Sequence, residues 1–219
     1  VVLEEATHHR AHFDVLREPR HAWQQTADAT DQQPYLDPRL GGRVQGVEGG
    51  HGEVGPLLAA SSNNVPEWVL LELACGLAGI TLVTVNPAYQ KRELKYVLEQ
   101  SRSEAIYYVA DFRGNPMQKI ADEVCNEIPA IRHRILLTDH AALFDGEGSG
   151  ELRNPGPLDP TQIQYTSGTT GFPKGALLHH NGLVMNGIEG MKRAGVNRSD
   201  VFVHHMPLSH MTGCAILVL

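Results

Sequence analysis

The sequence predicts an α/β fold in which helices layer a mostly parallel sheet, with the 219 residues forming an incomplete part of it. From residue 63 onward, short runs rich in β-branched residues alternate with longer segments whose apolar residues recur at helical spacing. Strands that alternate with helices at this spacing imply a mostly parallel sheet that helices cover on both faces. Hydrophobic residues make up 42% of the chain, which suffices for a buried core.

The first predicted elements are an apolar helix and a buried strand. Asn63 and Asn64 offer side chains that cap a helix, and Pro66 suits its first turn. The apolar pattern extends to about Leu77, where glycines end it. The strand follows as the β-branched run ITLVTVN, residues 80–86.

The stretch 68–85 is also about long enough for a membrane span. However, Glu72 lies inside it, and its second part is β-branched. We therefore expect a buried helix and strand here rather than a transmembrane segment. The first ten residues have neither a basic nor an apolar region, so no signal peptide is predicted.

The later elements continue the alternation. Leu94, Val97 and Leu98 recur at helical spacing among charges, which predicts an amphipathic helix at 90–101. Gly, Pro and acidic residues predict a surface loop at 139–160. The remaining predictions are, in order, a strand at 104–110, a helix at 115–128, strands at 133–139, 161–168 and 175–180, a helix at 181–195, a strand at 200–206 and a helix from 213.

The two ends of the chain depart from this pattern. Residues 1–60 contain five of the twelve histidines and no lysine, and they show no sustained period. We predict an irregular segment there and a folded part at 61–219. Since the last residues, CAILVL, read as an uncapped apolar helix, we expect the chain to be a fragment of a longer protein.

Charge and cysteine content narrow the function classes. The net charge is −7 and only five lysines are present, which argues against non-specific nucleic-acid binding. Cys75, Cys125 and Cys214 are widely separated, so neither a disulfide framework nor a zinc site is expected, and a reducing compartment is favoured.

Two histidine pairs also argue against a metal site. His179-His180 and His204-His205 are each predicted to lie on a strand, where neighbouring side chains point to opposite faces. Neither pair is therefore expected to chelate one ion.

The segment YTSGTTGFPKG, Tyr165 to Gly175, carries the strongest functional signal. Glycines let backbone N–H groups converge on an anion, hydroxyls add donors, and Lys174 adds a positive charge. These features predict a cradle for a polyphosphate. It differs from a Walker A loop because Pro173 precedes the lysine and Gly175 follows it, before a strand rather than a helix.

This segment resembles the signature phosphate loop of the adenylate-forming superfamily, which includes acyl-CoA synthetases, aryl-CoA ligases and luciferases. The resemblance extends over about 63–219, where 64–101 is similar to fatty-acyl-CoA synthetases. His180 and Asn186 stand at the family's usual positions after the loop. PLSHMTG, residues 207–213, resembles the next motif, although Ser209 replaces its usual aromatic residue.

The resemblance implies a fatty-acid–CoA ligase. A carboxylate attacks ATP to give acyl-AMP and pyrophosphate, and the thiol of coenzyme A then forms the thioester. The loop residues implied to bind the ATP phosphates are Thr166, Ser167, Gly168, Thr169, Thr170, Gly171 and Lys174. Thr166 would also help to coordinate Mg²⁺, and His210 would lie beside the carboxylate and the acyl-AMP. Lys174 and His210 are thus the implied catalytic residues.

In the family, residues 61–219 would form the first part of the N-terminal AMP-binding domain, without the C-terminal lid domain. The resemblance leaves open an aryl-CoA ligase, or an acyl-AMP ligase that serves a carrier protein. A non-catalytic, truncated nucleotide-binding fragment is the alternative from another class. A homodimer is also left open, and the expected location is the cytoplasm or the periphery of a membrane.

Overall fold

The structure, a computed structural model, describes residues 56–144, 155–166, 173–197 and 199–217. The strands in this part of the chain are β1 Leu57–Ser61, β2 Thr81–Thr84, β3 Ala105–Tyr108, β4 His133–Leu136, β5 Pro160–Thr166 and β6 Lys174–His179. The helices are α1 Pro66–Ala78, α2 Lys91–Ser101, α3 Met117–Glu127, α4 His140–Phe144, α5 His180–Ala194 and α6 Met211–Leu217.

The six described strands form one sheet in the order β4-β3-β1-β2-β5-β6. All neighbours pair in parallel except β5 and β6, which form an antiparallel hairpin. This arrangement confirms the predicted mostly parallel α/β sheet. The register aligns Ile106, Ala59, Val83 and Ile163 in one row across four strands.

The sheet has an apolar cluster on each face, because successive side chains of a strand point to opposite sides. Helices α2 and α3 pack on one face, over the row that contains Ala59 and Val83. On the other face, Leu58 and Leu82 pack against Trp68 of α1 and against Leu208, which follows α5. Both Trp68 and Leu208 are buried. The segment after α5 is thus anchored on the α1 side of the sheet.

Helix α1 begins differently from the prediction. Pro66 occupies the first turn and Gly79 ends the helix in the left-handed conformation, as expected. The N-cap residue, however, is Val65, and no side chain caps the helix. The predicted capping role of Asn63 and Asn64 is therefore wrong. The amide of Asn64 instead bonds the backbone at Met206 and Leu208, which lie far along the chain.

Two predicted irregular segments contain regular structure. Strand β1 starts at Leu57, so residues 57–60 are regular although 1–60 was predicted to be irregular. Residues 1–55 of that predicted segment lie outside the described residues. Within the predicted loop 139–160, α4 forms because Asp139 accepts a hydrogen bond from the Ala142 N–H at 3.1 Å.

The strand predicted at 200–206 is wrong. None of the six described strands pairs with this segment. Val201, Phe202 and Val203 have exposed fractions of 92%, 48% and 79%. Its apolar composition favours a strand, but a strand also needs a neighbouring backbone to accept and donate its hydrogen bonds. Separately, the described helices include none with the length and apolarity that a membrane crossing requires.

Candidate functional site

The base of the predicted phosphate loop is an antiparallel pair of strand ends. Thr166 ends β5 and pairs with Lys174, the first residue of β6. The Thr166 hydroxyl donates to the Lys174 carbonyl oxygen at 3.4 Å, and both side chains are exposed. The structure therefore brings these two predicted residues together. The other predicted phosphate ligands, Ser167, Gly168, Thr169, Thr170 and Gly171, lie outside the described residues.

Gly175 allows close packing in this hairpin. It pairs directly with Tyr165. A Cβ atom at position 175 would lie 3.0 Å from Cγ2 of Ile163 and 3.3 Å from the Tyr165 ring. Glycine thus lets the Tyr165 ring lie against the neighbouring strand, next to Lys174.

Helix α2 braces the same hairpin through two tyrosines. The Tyr96 hydroxyl donates to the Pro173 carbonyl oxygen at 3.1 Å, directly before Lys174. The Tyr165 hydroxyl points back to the Val97 carbonyl oxygen at 3.5 Å. Burial raises the pKa of Tyr165 well above its usual value, so its hydroxyl keeps its proton. Sequence analysis did not identify these residues, because the bonds join positions that are 77 and 68 residues apart.

His210 lies on a tight turn that leads into α6. Its N–H bonds the Pro207 carbonyl oxygen at 3.0 Å, and its own carbonyl oxygen accepts from the Cys214 N–H at 3.1 Å. A Cβ atom on Gly213 would overlap the Pro207 carbonyl oxygen and would lie 2.9 Å from Cα of Leu208. The turn therefore closes only because residue 213 is glycine.

The imidazole of His210 is exposed and oriented by its own turn. Its Nδ1 accepts a hydrogen bond from the Thr212 N–H at 3.3 Å. A backbone N–H can only donate, so the neutral ring carries its proton on Nε2. That N–H can then donate to an incoming carboxylate oxygen.

A buried polar network connects helix α1 with the His210 turn. Glu72 accepts from the Trp68 indole at 3.1 Å and from the Gln162 amide at 3.3 Å. The Gln164 amide donates to Gln162 at 3.2 Å and to the Cys214 sulfur at 3.2 Å. Because the five residues of this network lie on α1, β5 and α6, it joins three elements inside the core.

Burial controls the ionisation of this network. It raises the pKa of Glu72 to about 7, while the hydrogen bonds from Trp68 and Gln162 oppose the rise. Burial also raises the pKa of Cys214 to about 12, so the thiol keeps its proton and donates to the Leu208 carbonyl oxygen at 2.8 Å. Sequence analysis used Glu72 only against a membrane span. The two glutamines at positions 162 and 164, on a strand that was expected to be buried, were the sequence feature that could have indicated the rest of this network.

Strand β5 joins the two parts of the site. Gln164 contacts Cys214, four residues after His210, and Thr166 lies two residues further along the same strand. The carboxyl ends of parallel strands are the usual location of ligand sites in open α/β sheets. The glycine-threonine loop, defined as residues 167–173, and the His210 turn are thus both attached near the carboxyl end of β5.

The described residues fit Mg²⁺ only as a partner of phosphate. Thr166 offers one hydroxyl oxygen, and no group of three or more His, Cys, Asp or Glu side chains that could hold a metal occurs among the described residues. Mg²⁺ in nucleotide sites commonly keeps several waters and binds phosphate oxygens with few protein ligands. Thr166 is compatible with such a minor share of the coordination.

The prediction that each histidine pair lies on one strand is wrong. His179 ends β6 and His180 begins α5, so they do not share a strand. His179 Nδ1 accepts from the Gly182 N–H at 2.9 Å and thereby caps α5. His204 and His205 lie in the segment that forms no strand with the described sheet.

Comparison with known proteins is consistent with this geometry. Residues 49–219 match the family model described as AMP-binding enzyme. The mitochondrial medium-chain acyl-CoA ligase ACSF2 of Rattus norvegicus is 34% identical over 147 residues, which cover 54% of this chain and 24% of that enzyme. The family match starts at residue 49, which is 14 residues before the resemblance recognised in the sequence. The chain spans only about a quarter of the length of the rat enzyme.

Solved structures share the fold. A long-chain-fatty-acid-CoA ligase (FadD1) from Archaeoglobus fulgidus matches with a TM-score of 0.66 at 22% identity, over 77% of this chain and 34% of that one. ATP-bound MatB from Rhodopseudomonas palustris matches with a TM-score of 0.63 at 25% identity, over 76% of this chain and 33% of that one.

Proposed function

The chain belongs to the AMP-binding enzyme family, and we propose that it is the first part of a ligase that activates a fatty acid with ATP and transfers it to coenzyme A. In the first step, a carboxylate oxygen bonds to the α-phosphorus of ATP and the bond to pyrophosphate breaks. In the second step, the coenzyme A thiol attacks the acyl carbon, and AMP leaves. The named relatives, a medium-chain acyl-CoA ligase among them, support this reaction class.

One observation carries the proposal: strand β5 attaches both the base of the glycine-threonine loop and the His210 turn. Lys174 and Thr166 would hold the β- and γ-phosphates together with Ser167, Gly168, Thr169, Thr170 and Gly171. Mg²⁺, when bound, neutralises charge on the phosphates. The Nε2–H of His210 would orient the attacking carboxylate, which is positioning and electrostatic assistance rather than covalent chemistry.

We also propose that the 219-residue chain alone does not turn over. Its match spans 24% of the rat enzyme's length, and the family resemblance places the adenine contacts and the lid domain in later sequence. Purified chain should therefore give no more ATP–pyrophosphate exchange than its Lys174→Ala variant. Clear exchange above that variant would contradict this part of the proposal.

The reaction itself is tested in the full-length protein, that is, the complete translation product that contains this chain. ATP–pyrophosphate exchange is measured with fatty acids of graded length. Lys174→Ala and His210→Ala should each lower the exchange rate by about 100-fold or more, as removal of one charge-stabilising group commonly does. Lys119→Ala, which removes an exposed lysine on α3, is the matched control and should retain activity. Equal rates in all variants would refute the assigned site.

A further inference from the structure

Asn64 makes a two-point contact with the backbone that carries His210. Its Nδ2 donates to the Met206 carbonyl oxygen at 2.8 Å, and its Oδ1 accepts from the Leu208 N–H at 2.9 Å. These partners lie 142 and 144 residues later in the chain. Asn64 itself lies between β1 and α1, where its side chain caps no helix. Its amide thus serves a distant segment and not its own.

The chemistry of this contact is specific to an amide. Pro207, between the two bonded residues, has no N–H of its own, and Asn64 bonds the Met206 carbonyl oxygen and the Leu208 N–H on either side of it. A single side chain that satisfies both must present one donor and one acceptor on neighbouring atoms. Asn does this, whereas a carboxylate lacks the donor.

A short series of hydrogen bonds and packing contacts connects Asn64 with His210. Leu208 is anchored below by its buried side chain and by the bond from Cys214 to its carbonyl oxygen. Asn64 fixes the backbone on both sides of Pro207, and the Pro207 carbonyl oxygen accepts from the His210 N–H. A shift of Pro207 therefore moves the imidazole directly.

We propose that Asn64 is a positioning residue for His210: its amide holds residues 206–208 so that the imidazole Nε2–H meets the substrate carboxylate. The proposal rests on the proposed ligase function. It adds a residue to which the family resemblance assigned no role. It also gives the residue just before α1 a part in the first half-reaction. Asn64 does not touch ATP in this account, so ATP affinity is independent of it.

The test uses steady-state ATP–pyrophosphate exchange in the full-length protein with Asn64→Ala. We expect kcat to fall by about 10- to 100-fold, since misplacement by about 1 Å has effects of this size, while KM for ATP stays unchanged. Asn63→Ala is the matched control, because Asn63 is the exposed neighbour and no hydrogen bond of its side chain is found among the described residues. It should behave as wild type.

A double-mutant cycle separates positioning from general destabilisation. In the His210→Ala background, Asn64→Ala should cause little further loss, since the group that it positions is already absent. Equal loss in both backgrounds would overturn the proposal. Where Asn64→Ala does not fold, Asn64→Asp is the second variant. It keeps the acceptor for Leu208 but lacks the donor, and a wild-type kcat in it would also overturn the proposal.

Hydrogen exchange gives a readout that does not depend on catalysis. Amides of 208–214 should exchange faster in Asn64→Ala than in Asn63→Ala, while those of β1 and β2 stay unchanged. Faster exchange throughout the chain would show a merely structural role. The His210→Ala and Asn64→Ala variants together separate the two proposals. Wild-type activity of His210→Ala refutes the assigned function. Reduced activity of His210→Ala with wild-type activity of Asn64→Ala refutes only the positioning role.

Discussion

Glu72 should make the stability of this fold depend on pH near neutrality. Its side chain is only 9% exposed, and burial raises its pKa from 4.5 to about 7. Folding therefore binds a proton between these two values, and stability falls as the pH rises through them. The fall is complete above the folded-state pKa, where the carboxyl is ionised in both states. It then amounts to about 3 kcal/mol, because each pKa unit corresponds to about 1.4 kcal/mol.

The measurement is the free energy of unfolding by urea at two pH values. Between about pH 5 and about pH 8, Glu72 should account for a loss of about 2.5 kcal/mol. Fluorescence of Trp68 reports the transition from within the network, because its indole donates to Glu72. Trp23→Phe removes the only other tryptophan.

Glu72→Gln is the decisive variant, because an amide stays neutral at both pH values and still offers one acceptor oxygen. Between the two pH values, the free energy of unfolding of Glu72→Gln should fall by about 2.5 kcal/mol less than that of the parent. Glu99→Gln removes an exposed carboxylate from α2 and is the control, which should follow the parent. If Glu72→Gln shows the same fall as the parent, burial does not perturb this carboxyl and the reasoning fails.

Three substitutions test the geometry of the site. Gly213→Ala should destabilise the fold by at least about 1–3 kcal/mol in urea unfolding, because the added methyl overlaps the Pro207 carbonyl. Gly175→Ala should cost less than Gly213→Ala, because its added methyl would lie 3.0 Å from Cγ2 of Ile163 and needs a side-chain shift of only a few tenths of an ångström. Gly190→Ala on α5, with no atom within 4 Å of the added Cβ, is the control for both and should be neutral or stabilising. Tyr96→Phe should raise KM for ATP by about two- to tenfold, the value of one hydrogen bond, and should lower the free energy of unfolding by no more than about 1.5 kcal/mol. An unchanged KM would contradict the bracing of the loop.

The sequence predicts those features that are set locally. Helix α2 follows from the spacing of Leu94, Val97 and Leu98, and these three side chains are indeed buried. The turn at Gly79 follows from the need for a left-handed residue after a helix. The pairing of Thr166 with Lys174 follows from two strand patterns around one short loop.

Local patterns fail where the partner is distant. Val201 to Val203 have strand-like composition, but no described strand supplies the hydrogen bonds. Asn64 has the composition of a helix cap, yet the Met206 carbonyl and the Leu208 N–H are the groups that it satisfies. In both cases the sequence showed the chemical character of the side chains but not the groups with which they pair. The choice of partner depended on which elements the sheet order brings together.

Strand β5 connects the base of the glycine-threonine loop with the His210 turn, although Thr166 and His210 are 44 residues apart along the sequence. Its Ile163 faces the cluster under α2 and α3, so that face anchors the sheet. Gln162 and Gln164 face the other way and bond Glu72 and Cys214, which is unusual for a central strand because polar groups are costly to bury unless they are paired. An apolar pair would pack here at lower cost but would supply no directional hydrogen bond from β5 to α6. The directional bonds from Gln164 to Cys214 and from Gln162 to Glu72 tie α6 and α1 to β5, so the polar face of β5 holds the His210 turn at a defined position relative to Thr166.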